Sequence, residues 1–232
     1  PETIFLVPMG DKKRLMRAGL THVHEMRWWE SMEVARSTIH FTPVQHWSKR
    51  GLFDRNKSLW GGWFFETGDL KLYHAGDTGY SKDFKTTYQR LGAPDYSFIP
   101  IGAYDPRWFM KDSHVNPEEA IQIALDLNTP HSFGMHWGTF TLTDEPVIEP
   151  PKRLAAELKN KPLEEKKPKF ANQQNHTIES HEFEKKTKKG FSDNEFKQHM
   201  AKIDQWTQNA KNKMIMKTVS KLTTEPSETM RS

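Results

Sequence analysis

The placement of glycine and proline constrains this chain more than any other feature. Twelve of the thirteen glycines fall before residue 139, and with several prolines they cut that stretch into short apolar runs. Long uninterrupted helices are thereby excluded over it, because both residues end regular elements. The runs themselves have strand length: Thr3–Val7, Ser37–Val44, Leu59–Glu66, Leu70–His74, Tyr96–Ile101 and Ser132–Met135. Amphipathic segments lie between them. Asp11 heads one that runs to Ala18 and stops at Gly19, and Ser81 heads another that runs to Leu91 and stops at Gly92. Asn116-Pro117-Glu118-Glu119 joins a capping amide to a proline at the first helical position and two carboxylates at the positive end of the dipole, so a helix through Leu127 follows. A short helix is also expected over Arg153–Lys159. Strands alternating with helices predict an α/β (α+β) fold built in layers.

Beyond Pro150-Pro151 the composition changes, and only eighteen of the last seventy-two residues are apolar. The tract 161–190 holds Lys166-Lys167-Pro168-Lys169 and Lys185-Lys186-Thr187-Lys188-Lys189, and it has too little apolar surface to offset the entropy of ordering. It reads as a polar, Lys-rich linker. In the final segment, 191–232, Ser192 and Glu195 fit a capping box, and Phe196, Met200, Ile203, Trp206, Ala210 and Met214 recur at helical steps. One amphipathic helix over about 193–220 is expected, with its stripe free to dock on the body, on a second copy as a homodimer, or on a membrane surface.

Charge follows the same division. Residues 1–160 carry 19 Lys/Arg against 20 Asp/Glu, while the rest carries 15 against 10, so the net +4 arises from the tail. A mixed tail of this kind reads as solvated, and no nucleic-acid partner is expected. No apolar stretch approaches membrane-spanning length, and Pro1-Glu2-Thr3 is not a basic, apolar leader. A cytoplasmic protein, at most peripheral to a membrane surface, is the expectation.

With no cysteine in the chain, imidazole and carboxylate are the available ligands for a transition metal. Three segments share one grammar, an apolar strand running out into a polar residue flanked by Trp, Thr or Gly. They are Phe41–Ser48 around His46, Tyr73–Tyr80 around Asp77, and Phe133–Phe140 around His136. A histidine at a strand end is more often structural than ligating, and Asp77 between Gly76 and Gly79 could serve as a turn former. Taken together, imidazoles and a carboxylate make the ligand set of hydrolytic zinc sites.

These residues also carry a resemblance. Gln45-His46-Trp47-Ser48, Gly51-Leu52-Phe53-Asp54-Arg55-Asn56, Leu59-Trp60-Gly61-Gly62-Trp63, Ala75-Gly76-Asp77-Thr78-Gly79-Tyr80, Ile99–Tyr104, Pro106–Met110, His114–Ala120 and His136–Phe140 form a collinear series. The series resembles the metallo-β-lactamase-fold family of N-acyl-phosphatidylethanolamine-hydrolysing phospholipase D, over about residues 4–155. The resemblance implies a hydrolase with two zinc ions, in which His46 ligates one, His136 the other and Asp77 bridges them. It implies a phospholipid substrate, cut into phosphatidic acid and an N-acylethanolamine, and it places His114 near the substrate, where it could assist proton transfer. Trp47, Trp60, Trp63, Trp108 and Trp137 could line an acyl groove or fill the core. Arg107 reads as a salt-bridge partner of Asp105 or another carboxylate.

The pattern departs from the family in one place. The family's remaining ligands lie in a His-x-His-x-Asp-His loop ahead of the segment equivalent to Thr3–Val7, and this chain has no such loop. His22-Val23-His24 matches a different part of the family and reads as structural. The expectation is therefore an incomplete αββα sandwich, its second half, with a partial zinc site that binds metal weakly and is inactive in isolation. Two alternatives remain open at this stage: a hydrolase of another ester or phosphodiester, and a non-catalytic fragment whose basic tail binds anionic lipid or nucleic acid.

Overall fold

A computed structural model describes residues 3–160 and 169–170. They belong to one unit, Pro1–Thr177; a second unit, Ile178–Ser232, lies outside the described residues, as do the expected helix over 193–220 and nearly all of the tract 161–190.

Fourteen elements are described. They are β1 (Phe5–Pro8), α1 (Lys12–Arg17), β2 (Val23–Met26), β3 (Ser31–Val34), β4 (Ser37–Thr42), β5 (Gly62–Thr67), β6 (Leu70–His74), α2 (Asp83–Leu91), β7 (Tyr96–Pro100), α3 (Arg107–Met110), α4 (Pro117–Asp126), β8 (His131–Met135), α5 (Glu149–Asn160) and β9 (Lys169–Phe170). Strands β3 to β9 form one seven-stranded sheet in sequence order, and β1 and β2 pair in parallel as a second, two-stranded sheet. Each expected strand and helix in the described residues is present, with ends shifted by a few residues. Helix α5 begins four residues early because Pro150 and Pro151 sit in its first turn, where a missing N–H removes no helical bond.

Pairing direction sets the position of the site. β4 is antiparallel to β5 and β5 to β6, whereas β6, β7, β8 and β9 are mutually parallel. Strands β4, β6, β7 and β8 therefore all end at the same edge. The crossovers through α2 and α4 lay helices on one face, as right-handed βαβ connections require. That face is the core: Phe64, Tyr73, Ser97 and Ser132 sit in register across four strands and are fully buried. They pack against Phe84 of α2, Ala120, Ile121, Ile123 and Ala124 of α4, and Leu154 of α5. The buried hydroxyls of Ser97 and Ser132 satisfy each other at 2.8 Å.

Three strands were absent from the sequence expectation, β2, β3 and β9. The β3–β4 hairpin turns through Ala35 and Arg36, with Ala35 at φ 54°, a conformation usually signalled by glycine or asparagine. The tract expected to be a linker contributes β9, whose Phe170 packs against the core. Asp11 stands at the N-cap of α1 but caps nothing; its carboxylate accepts from the Ser58 hydroxyl at 3.0 Å instead.

Candidate metal centre

The four predicted functional residues emerge from the ends of the four co-directional strands: His46 after β4, Asp77 after β6, His114 after β7 and His136 after β8. The loops of His46, Asp77 and His114 are laced together through one buried residue. The Thr78 hydroxyl accepts from the Gln45 N–H at 3.2 Å, its carbonyl accepts from Val115 N–H at 2.8 Å, and Gly79 N–H donates to the Gln45 carbonyl at 2.7 Å.

His46, Asp77 and His114 each offer a ligand atom, and these atoms lie within 4.8 Å of one another. His136 joins them from the other side, with Nε2 3.5 Å from Asp77 Oδ1 and its ring centroid 5.2 Å from that of His114. His46 is oriented for ligation. Its Nδ1 lies 2.8 Å from the Trp47 carbonyl, which can only accept, so Nδ1 carries the proton and Nε2 presents a lone pair. That Nε2 is buried with no hydrogen-bond partner, as are Nδ1 of His114 and Nδ1 of His136. Orphaned imidazole nitrogens around a carboxylate are costly unless something electrophilic sits among them, so the residues fit a divalent cation.

Electrostatics in the cluster are asymmetric. Burial pushes His114 down to about 4, against the opposing pull of Asp77, so its imidazole is neutral at pH 7. Asp77 has the opposite effect on His136, raising it through their contact, and that contact in turn holds the Asp77 carboxyl below its usual range.

The positions are enforced by neighbours. Gly102 must lack a side chain because a Cβ there would run into the His136 carbonyl, and a Cβ on Gly76, at φ 68°, would meet the Gly61 carbonyl at 2.8 Å. Arg107 donates through Nη2 to both carboxylate oxygens of Glu119 at 2.8 and 2.9 Å and through Nη1 to the His114 carbonyl at 2.8 Å. Glu119 also completes a capping box with Asn116 at the start of α4. So Arg107 is the expected salt-bridge residue, paired with Glu119 rather than Asp105, and it fixes the backbone that carries His114. Glu145 lies in the stretch Leu142–Pro146 that shares the family resemblance, but the sequence assigned it no role. Its carboxylate accepts from the N–H groups of Ala103 and Asp105 at 2.6 and 3.1 Å, which shapes the loop behind the site.

The tryptophans divide. Trp60 and Trp137 pack against the core, whereas Trp47 and Trp108 are exposed at the site edge. His24 lies on β2 in the separate small sheet, and His22 immediately precedes that strand.

A family model described as the Beta-lactamase superfamily domain matches residues 6–137, more than half of the chain. The chain belongs to the β-lactamase superfamily. Within it, the chain is 40% identical over 158 residues to the yeast protein named N-acyl-phosphatidylethanolamine-hydrolyzing phospholipase D, mitochondrial, and 39% identical over 165 residues to a Caenorhabditis elegans protein named N-acyl-phosphatidylethanolamine-hydrolyzing phospholipase D 1. The matches cover 65% and 66% of this chain but only 34% and 46% of those relatives. Among solved structures, a protein described as a possible metal-dependent hydrolase from Veillonella parvula shares the fold at TM-score 0.55 and 18% identity, over 74% of this chain and 64% of its own. Igni18, a metallo hydrolase from Ignicoccus hospitalis, does so at 0.52 and 20%, over 67% and 62%. The architecture is the metallo-β-lactamase fold, and the strand edge bearing the histidine cluster belongs to a superfamily that includes metal-dependent hydrolases.

Proposed function

We propose that this chain carries half of the metal site of a zinc-dependent phosphodiesterase of phospholipase D type. Its substrate is N-acyl-phosphatidylethanolamine, cut into phosphatidic acid and an N-acylethanolamine. The observation that carries the reading is the convergence of His46, Asp77, His114 and His136 at one strand edge, with unpaired imidazole nitrogens around a carboxylate. The names of the yeast and nematode relatives support the substrate class. Because the chain spans less than half of those relatives, the reading concerns a protein that joins this half-site to further ligands, and the 232 residues alone are inactive.

Held by His46, Asp77 and His136, divalent metal would supply a Lewis acid for the phosphodiester and a bound water of lowered pKa. The chain's own residues do the rest. The Trp47 carbonyl holds His46 in the ligating tautomer, and Asp77 contributes an anion that stays charged at neutral pH. His114, uncharged at pH 7, accepts a proton or a hydrogen bond from an attacking water rather than donating one to a leaving group.

The test is an assay of two chains, these 232 residues and a longer one carrying a His-x-His-x-Asp-His loop ahead of Pro1. Release of N-acylethanolamine by the longer chain alone, lost in Asp77→Asn, is the expected result. Turnover of a soluble ester without release from the lipid would replace the substrate assignment.

A further inference from the structure

The loop that follows His46 has a closed neck and an apolar tip. Its neck is stapled, with Ser48 and Asn56 exchanging two bonds, the Asn56 N–H to the Ser48 carbonyl at 2.8 Å and the Ser48 N–H to the Asn56 side chain at 3.3 Å. Asn56 takes the left-handed conformation, φ 58°, that lets the chain return. Between these residues the sequence is Lys49-Arg50-Gly51-Leu52-Phe53-Asp54-Arg55, and Lys57 follows. The tip side chains, Leu52 and Phe53, are 82% and 87% exposed, although nothing in the turn requires large apolar residues there.

Charge around the tip is one-sided. Lys49, Arg50, Arg55 and Lys57 are all exposed, against one acid, Asp54. That acid is turned inward, its Oδ1 accepting the N–H groups of Arg50 and Gly51 at 3.0 and 2.7 Å to close the turn. Arg50 leans toward Asp11 at 3.8 Å, and the Arg55 guanidinium lies 5.0 Å over the Trp47 ring. Trp47 in turn stacks on His46 at 5.7 Å, so the loop is coupled by direct contact to the metal-ligand cluster. Loops from the same strand edge carry two further exposed apolar pairs, Trp108 with Phe109 after β7, and Phe140 with Leu142 after β8. The Asp144 N–H to Asp105 carbonyl bond, 3.3 Å, holds those two loops side by side.

Apolar tips ringed by cations at the mouth of a site suit one partner chemistry, an anionic phospholipid bilayer. Its phosphates would take the cations while its acyl region takes the tip. We infer that residues 49–57 form an interfacial anchor that inserts Leu52 and Phe53 below the headgroups of an anionic membrane and so presents the His46 cluster to lipid. The inference deepens the lipid reading of the site and rests on it for its purpose, but binding is measured without turnover.

The experiment is partition of the 232-residue chain onto vesicles of phosphatidylcholine with and without phosphatidylglycerol, both free of N-acylated lipid. Paired Leu52→Asp and Phe53→Asp should lower partition on the order of a hundredfold while leaving the melting temperature unchanged. Lys49→Ala and Lys57→Ala should each lower it by about fivefold, on the anionic vesicles only. In a Phe53→Trp chain, bromine-labelled acyl chains should quench the added fluorescence. Partition unaffected by the loop substitutions but lost when Lys185, Lys186, Lys188 and Lys189 are replaced would overturn the inference in favour of the tail. A shift from dimer to monomer in the Leu52/Phe53 double variant, with partition unchanged, would overturn it in favour of a second copy. If the loop variants partition as the parent does while the longer chain still hydrolyses N-acyl-phosphatidylethanolamine, the anchor alone fails. If the anchor binds and that lipid is not hydrolysed, the substrate reading alone fails.

Discussion

Two histidines that sit side by side in the cluster are driven in opposite directions by their surroundings. His114 is lowered mainly by burial, so the folded chain holds it neutral where the unfolded chain would protonate it. Its contribution to stability is present above the unfolded value near 6.5 and is lost as pH falls toward about 4. His136 is raised by Asp77, so its contribution is complete below the unfolded value and is lost as pH climbs through the raised one. Histidine NMR titration of the metal-free chain should therefore give a midpoint near 4 for His114 and one above 6.5 for His136. Asp77→Asn should bring the second midpoint down; a midpoint that stayed high would show that Asp77 is not its cause. Gly102→Ala is a second probe at this scale. Overpacking against the His136 carbonyl should cost about 1–3 kcal/mol in urea unfolding and should shift the His136 ring signals. The candidate ligands could be singled out in the sequence, since strand-end His46, Asp77 and His136 carry their own flanking grammar, and the structure brings them together. Glu145 was not singled out, because a carboxylate that binds backbone N–H groups more than forty positions away leaves no local pattern.

Among elements, α4 shows how a helix start can set the loop that carries His114. Asn116 and Glu119 cap each other, and Glu119 spends its remaining capacity on Arg107, which holds the His114 carbonyl. Glu119→Ala should cost about 2 kcal/mol by removing the return bond of the capping box and the ion pair. Glu119→Gln, which keeps the cap and loses the charge, should cost less; equal losses from the two variants would mean the return bond of the cap contributes nothing. Glu145 gives the acid counterpart in the adjoining loop. Burial alone would raise its carboxyl, but bonds from Thr143 and from the N–H groups of Asp105 and Ala103 hold it below the usual range. Its contribution is present above the unfolded value and disappears as pH falls through the folded one, so Glu145→Gln should flatten the acid limb of a stability–pH curve. At this scale the sequence was clear wherever a helix had its cap and stop, as at Asn116 and Gly92. The β3–β4 hairpin was illegible because Ala35 adopts a turn conformation that its side chain does not advertise.

For the molecule as a whole, the sheet's direction pattern matters more than any single contact. Candidate ligands separated by ninety positions, from His46 to His136, meet because β4, β6, β7 and β8 end together, and no spacing in the sequence encodes that convergence. The same sheet leaves its second face only half-buried. Trp63, His74, Phe98 and Phe133 lie in register across it, with Phe98 and Phe133 stacked at 5.1 Å, and among the described residues the other sheet contributes just β1 and β2. A cation bound at the strand edge would therefore tie the loop after β8 to the loops after β4, β6 and β7, which are already joined through Thr78. Binding to the native state alone stabilises it by about 2.7 kcal/mol when metal stands at a hundred times its dissociation constant, which corresponds to a rise of about 5–10 °C for a body of this size. Zinc titration followed by thermal unfolding should show that rise in the parent chain. Asp77→Ala should abolish it, because the carboxylate is the one anion among the three imidazoles, and His24→Ala, on the separate small sheet, should leave it intact. An equal rise in Asp77→Ala would place the stabilising metal elsewhere on the chain and remove the strand-edge cluster as its site.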